Sequence, residues 1–172
     1  MRLTRALLVT ALLVTSVAVQ TVVLSRLGLP GATPDLVLLV IIGLGLYHGP
    51  LTGMLVGFAG GLMLDLVPPA DGAAGRWAFI YCLVGLAAGR AADAAERSAF
   101  LPLVIVATLA GLSVLAYAAT GALIGDPRVT WENVVRTLPF AVLYDLLLTP
   151  FVVPAVMGLA RRVEPRSSLL HR

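Results

Sequence analysis

The feature that most limits the fold of this chain is a succession of apolar stretches, most of them close to the length that crosses a lipid bilayer. A helix of about 20 residues crosses the roughly 30 Å of hydrocarbon in a bilayer. Six apolar stretches fill most of the 172 residues, and they run from Ala6 to Leu24, Leu36 to Tyr47, Leu51 to Leu66, Trp77 to Ala92, Phe100 to Ile124 and Leu138 to Ala160. We therefore predict an all-α fold, a polytopic membrane bundle of about six transmembrane helices.

The composition supports lipid as the surroundings of this chain. Hydrophobic residues make up 59% of the sequence and charged residues 12%, so polar groups are too few to cover a water-soluble surface of this size. A membrane barrel is excluded because its strands alternate in polarity, whereas residues 36–42 are apolar on every face. The single Cys82 excludes an internal disulfide framework.

The arginines predict the orientation of the bundle, because arginine and lysine are enriched in cytoplasmic loops. With six spans, one side carries eight arginines, which are Arg2, Arg5, Arg90, Arg97, Arg161, Arg162, Arg166 and Arg172. The other side carries four, which are Arg26, Arg76, Arg128 and Arg136. We therefore expect a multi-pass protein whose termini are both cytoplasmic. Residues 1–172 would form a single integral membrane domain, with a short N-terminus, a C-terminal tail at 161–172 and no nucleic-acid partner.

Three segments carry more specific expectations. The N-terminal apolar stretch follows two arginines, Arg2 and Arg5, and this arrangement resembles a signal peptide. Because the stretch continues to Leu24, which is long enough to span a membrane, we expect an uncleaved anchor. The second stretch reaches only about 18 Å as a helix. It must be sheltered by other helices, be extended by its flanks or thin the bilayer. We expect residues 126–137 to form a separate short surface helix on the outer face.

Glycines repeat at helical spacing in the third and fourth stretches. Gly53, Gly57 and Gly61 recur every four residues, and Gly85 and Gly89 do the same. Small residues at this spacing allow helices in a membrane to approach closely. Two interpretations stay open here: the glycines pack helices within the chain, or they form a groove for a partner's membrane helix.

Polar side chains within the apolar stretches suggest a cavity. In the predicted orientation Gln20, Asp65, Tyr117, Thr120 and Asp145 all fall in the outer half of the membrane, although they come from different spans. A carboxylate such as that of Asp145 costs roughly 2.5 to 3.5 kcal/mol inside a span and should face the bundle interior or water. We expect an outward-facing polar cavity; the alternative is a structural hydrogen-bonding role for Asp145, shielded by Tyr144 and a helix broken at its prolines.

The sequence gives no complete set of catalytic residues. Residues 68–93 partly match the motif of CDP-alcohol phosphatidyltransferases at Asp71, Gly72, Arg76, Gly85 and Asp93, but Pro68 and Gly89 replace two of its four aspartates. Asp71 and Asp93 would also lie on opposite membrane faces, too far apart to share a metal ion. We therefore expect no enzyme activity, no metal and no cofactor.

A succession of short motifs resembles the family of the bacterial rod shape-determining protein MreD over most of the chain. The motifs are Pro34-Asp35-Leu36, the turn Gly45-Leu46-Tyr47-His48-Gly49-Pro50-Leu51, the run Gly61-Leu62-Met63-Leu64-Asp65-Leu66, and the span that ends at Gly85-Leu86-Ala87-Ala88-Gly89-Arg90. Residues 68–71 depart from many relatives, which read as glycine-rich in this loop.

This resemblance implies a non-enzymatic scaffold in the cytoplasmic membrane. It would belong to the cell-elongation complex, or elongasome, which builds side-wall peptidoglycan and determines cell shape. Its most direct partner would be MreC, a single-span shape protein, with MreB, RodA and RodA's transpeptidase reached through the complex.

The family is also similar in fold to the substrate-binding membrane subunits of energy-coupling factor vitamin transporters, which gives an alternative function. Such subunits typically carry an Ala-x-x-x-Ala motif in their first span. The first span here has Thr10, Thr15 and Val22 four residues after its alanines at 6, 11 and 18. We therefore favour the shape-determining function.

Overall fold

The computed structural model describes residues 2–67, 74–98, 100–126 and 129–163, with the backbone alone described at Arg2. These residues form seven α-helices and no strand, which confirms the predicted all-α bundle. The helices are α1 (Arg2–Ala18), α2 (Leu36–His48), α3 (Pro50–Leu66), α4 (Arg76–Arg90), α5 (Ala92–Ala95), α6 (Leu101–Leu123) and α7 (Trp131–Val163). A π-helical turn (Val19–Val23) and a 3-10 turn (Leu24–Leu27) extend α1.

Among the described residues, three helices are long and apolar enough to cross a membrane. They are α1 with its extension, over Leu3–Leu27, together with α6 and α7. The helices α2 and α3 are apolar but shorter, and α4 has 15 residues. Each of the six predicted stretches is helical, and half of them are shorter than a full crossing.

The short helix α2 lies at the centre of the bundle. Every residue from Val37 to Tyr47 is buried, and α2 packs against α1, α3, α4 and α7. A helix that is apolar all round is expected in such a position, since no face has to meet water. Of the three possibilities for this short span, the structure shows the first, shelter by other helices.

Antiparallel α3 and α4 form the closest helix pair in the described structure, and glycines make this contact possible. A Cβ atom added at Gly53 would overlap the carbonyl of Gly85, one at Gly57 the carbonyl of Tyr81, and one at Gly61 the carbonyl of Trp77. A Cβ at Gly89 would likewise overlap the backbone at Pro50. The five predicted glycines therefore contact each other's helices within this chain, and a partner's helix would have to bind another face.

The structure contradicts the prediction of a separate surface helix at residues 126–137 and of a helix broken at its prolines. The helix α7 runs without interruption from Trp131 to Val163, with Pro139, Pro150 and Pro154 inside it. Prolines are tolerated in membrane helices because neighbouring helices and hydroxyl side chains satisfy the backbone groups that they free. At about 1.5 Å per residue, its 33 residues reach about 50 Å, which is longer than the roughly 30 Å of hydrocarbon in a bilayer.

Candidate functional site

Polar residues from six helices converge at one end of the bundle, which we call the polar end. It is formed by the extension of α1, the start of α2, the end of α3, the start of α4 and the end of α6, together with the N-terminal half of α7. Two separate groups of polar side chains lie here, one around Asp35 and the other around Arg76.

The first group closes the buried N-terminus of α2. Asp35 is the N-cap residue: its Oδ1 accepts a hydrogen bond of 3.0 Å from the amide of Leu38. Gln20 Oε1 accepts one of 3.0 Å from the amide of Val37. A helix start leaves four backbone N–H groups without helical partners, so partners are needed wherever the start is buried. Gln20 and Asp35 satisfy two of them.

Asp35 also joins α2 to α4 and α7. Its Oδ2 accepts a hydrogen bond from the hydroxyl of Tyr81, and its backbone amide donates one of 2.7 Å to Oδ1 of Asp145. Both Tyr81 and Asp145 are buried, at 0% and 2% relative exposure. The Asp145 carboxylate therefore faces the interior of the bundle, where it is bound by a backbone amide rather than by a cationic side chain.

The second group is centred on Arg76, the first residue of α4. Its Nε donates to Thr120 Oγ1 at 3.0 Å and its Nη1 forms an ion pair with Asp126 at 3.0 Å. Its Nη2 donates to the carbonyl of Tyr117, and the guanidinium lies 3.4 Å from the centroid of the Tyr117 ring. Only 3% of the Arg76 side chain is exposed. Arg76 thus holds the start of α4 against the end of α6.

Asp65 closes the gap between α3 and α4. Its carboxylate accepts hydrogen bonds from the amides of Gly75 at 3.0 Å, Trp77 at 3.2 Å and Ala78 at 3.0 Å. The last turn of α3 therefore caps the first turn of α4. This gives Asp65 a structural function that the sequence pattern had not indicated.

A cavity of about 480 Å³ lies beside the group around Asp35. Its polar wall includes Gln20, Asp35 and Asp145, and its aromatic wall includes Trp77 and Tyr81. Trp77 also stacks on Tyr117, with ring centroids 4.4 Å apart and planes 23° from parallel.

The five predicted polar residues do not form a single site. All five lie at the polar end, but only Gln20 and Asp145 line the cavity. Asp65 caps α4, whereas Thr120 and Tyr117 bind Arg76. Nor does Tyr144 bind the Asp145 carboxylate, since its hydroxyl donates to the carbonyl of Pro30 at 3.2 Å.

Three important residues were missed as site residues. Asp35 carries a readable signal, because an aspartate directly before a long apolar run is a typical N-cap. Arg76 was interpreted as a topology signal and as one position of the partial phosphatidyltransferase motif, and Tyr81 stands in an apolar stretch without any distinguishing pattern. The packing of α2 against α4 brings Asp35 and Tyr81 together, whereas Arg76 lies in the separate group at the end of α6.

The enzyme motif considered above lies partly outside the described residues, since they exclude Pro68, Asp71 and Gly72. Of its remaining positions, Arg76 lies in the buried network, while Asp93 is exposed on α5. Among the residues that the structure describes, no group of three or more histidine, cysteine or acidic residues could hold a metal ion.

A comparison with known families identifies the chain. No match was found among curated proteins or among solved structures. A family model for the rod shape-determining protein MreD matches residues 1–163. Since this match spans α1 to α7 and agrees with the resemblance carried by the motifs, the chain belongs to the MreD family of rod shape-determining membrane proteins.

Proposed function

We propose that this protein is a non-enzymatic scaffold of the bacterial cell-elongation complex, which binds MreC and helps to position side-wall peptidoglycan synthesis. The observation that carries the proposal is the family match over residues 1–163. MreB, RodA and the transpeptidase partner of RodA would be linked to it through the complex.

The lengths of the helices suggest where a single membrane helix of MreC would bind. The helices α3 and α4 have 17 and 15 residues, so they reach about 25 Å and 23 Å, less than the hydrocarbon thickness. Short helices that face lipid are costly, and a neighbouring helix relieves this mismatch. Phe58 on α3 and Phe79 on α4 are 50% and 58% exposed, and they mark the outer surface of this pair. We place the MreC helix on this surface, which we call the α3–α4 face.

The same proposal includes the orientation of the bundle. The end opposite the polar end carries Arg5 beside Thr52 at the start of α3, as well as Arg90 at the end of α4 and Arg161 near the end of α7. Because arginines favour the cytoplasmic side, this end would face the cytoplasm together with both termini.

Depletion of the protein in its native bacterium tests the function directly. If the proposal is right, depleted cells lose their normal shape and insert new wall material away from its usual sites, and re-expression of the intact chain restores both. The function would be wrong if shape and insertion pattern stayed normal at complete depletion.

The cavity at the polar end favours a second candidate, a substrate-binding membrane subunit of an energy-coupling factor vitamin transporter. Its 480 Å³ lies within the range of about 300 to 1,000 Å³ that is common for small-molecule pockets. Purification with a bound vitamin and with an ATPase-linked coupling subunit would support this candidate over the first.

A further inference from the structure

The cavity at the polar end is lined by a carboxylate oxygen that no described side chain or amide binds. Asp145 is 2% exposed and lines the cavity. Its Oδ1 accepts the hydrogen bond from the amide of Asp35, but its Oδ2 accepts none from the residues that the structure describes. A buried carboxylate oxygen is costly unless it is hydrogen-bonded or paired with a cation. Because Asp145 lines the cavity, this oxygen is available to a ligand that binds there.

The surroundings of Asp145 add negative rather than positive charge. The carboxylate of Asp35 also lines the cavity, and both of its oxygens are already occupied, by the amide of Leu38 and the hydroxyl of Tyr81. The described lining contains no arginine, lysine or histidine. Arg76 directs its guanidinium nitrogens to Thr120, Tyr117 and Asp126 instead.

The aromatic wall suits an organic cation better than a bare ion. Trp77 and Tyr81 are both lining residues, with ring centroids 5.1 Å apart, and Trp77 is the partly exposed one because Tyr81 is 0% exposed. Aromatic faces attract ammonium and guanidinium groups and also pack against the apolar parts of a ligand.

We propose that this cavity binds a small organic cation, an ammonium or guanidinium compound, whose charged group pairs with Oδ2 of Asp145 and whose apolar part packs against Trp77. The inference is independent of MreC binding, since the α3–α4 face and the cavity are formed by different side chains.

Tryptophan fluorescence provides the readout. The chain has two tryptophans, Trp77 and Trp131, so Trp131→Phe leaves the cavity residue as the single reporter. The full chain in lipid nanodiscs is titrated with n-butylammonium, n-butylguanidinium and, as the neutral counterpart, n-butanol. We expect a saturable change with at least one cation and at least tenfold weaker binding of the alcohol.

Two variants locate the binding at Asp145, and a third is the matched control. Asp145→Asn keeps the shape and the Oδ1 acceptor but removes the charge, so binding of the cation should weaken at least tenfold. Ala141→Leu fills the cavity one turn away and should abolish binding even if the first variant folds poorly. Asp93→Asn removes an exposed carboxylate on α5 and should bind as the parent does. The proposal is wrong if no cation binds saturably, if butanol binds equally well, or if both cavity variants bind like the parent.

Discussion

The backbone amide of Asp35 donates a hydrogen bond of 2.7 Å to Oδ1 of Asp145, although the two residues lie 110 positions apart in the sequence. This contact ties the start of the central helix α2 to the middle of α7. Around it, Asp35 also binds Tyr81 on α4, while Gln20 binds the first turn of α2. The polar end is therefore held by hydrogen bonds that connect four separate parts of the chain, in a region where lipid offers no competing partners.

Replacing Asp145 tests how much this hydrogen bond contributes to the stability of the fold. Asp145→Leu leaves the amide of Asp35 without an acceptor and should lower the free energy of unfolding by about 1 to 3 kcal/mol. Asp145→Asn keeps an acceptor oxygen and should lose less. Chemical or thermal unfolding in detergent measures both, with Leu147→Ala at a 60% exposed position of α7 as the control. Equal stability of the Leu and Asn variants would contradict the structural role of this hydrogen bond.

The close glycine contact between α3 and α4 predicts that a single added carbon atom at this contact lowers the stability of the protein. Gly57→Ala places a Cβ against the carbonyl of Tyr81, so the helices must separate and stability should fall by about 1 to 3 kcal/mol. Gly158→Ala on α7 is the matched control, because no heavy atom lies within 4 Å of its added Cβ. That variant should be neutral or slightly stabilising, since alanine favours a helix over glycine by about 1 kcal/mol. Equal unfolding curves for the two variants would show that the glycines are not needed for close packing.

The Arg76 network predicts that lysine cannot replace this arginine. One ammonium group cannot reach Thr120, Asp126 and the Tyr117 carbonyl at the same time, as the guanidinium fork does. Loss of one partner of a buried ion pair typically costs about 3 to 5 kcal/mol. We expect Arg76→Leu to lose about 3 kcal/mol, and Arg76→Lys to recover only part of it.

Unfolding measurements on these variants have a simple control in Arg136→Lys, since Arg136 is exposed on α7. A double-mutant cycle with Asp126→Asn isolates the ion pair from the other contacts of Arg76. Full stability of Arg76→Lys would mean that the charge alone matters and the fork geometry does not.

The sequence predicts the all-α fold class well because the lengths of apolar stretches and the spacing of glycines are local properties of the sequence. All six stretches are helical, and the single-residue link between α2 and α3 falls at Gly49, whose φ of +86° favours glycine. The continuous α7 was not predictable from the same rules, since Pro139 breaks most helices in water. Its continuity depends on the membrane environment and on packing against α6 and α2.

The site was only partly predictable for a different reason. Depth in the membrane placed Gln20 and Asp145 at the same level, and both do line the cavity. Depth alone does not give the angle at which a side chain leaves its helix, so Tyr117 and Thr120 were grouped with them although they bind Arg76. The pairing of Asp35 with Tyr81 depends on the packing of α2 against α4, which no local pattern records.

Cysteine labelling tests the proposed orientation. In a Cys82→Ala background, Thr130→Cys lies just before α7 and Glu96→Cys just after α5. With both termini cytoplasmic, a membrane-impermeant maleimide should label Thr130→Cys in intact spheroplasts and Glu96→Cys only after permeabilisation. The opposite pattern would invert the bundle and overturn the interpretation of the arginines.

The most direct test of the central claim is photo-cross-linking to MreC in native membranes. A benzophenone amino acid replaces Phe58 or Phe79 on the α3–α4 face, and Leu112 on the long helix α6, 54% exposed, serves as the matched control. The account predicts a cross-link to MreC from position 58 or 79 and none from position 112. Recovery of an ATPase-linked coupling subunit without MreC, or the absence of MreC from every position, would contradict it.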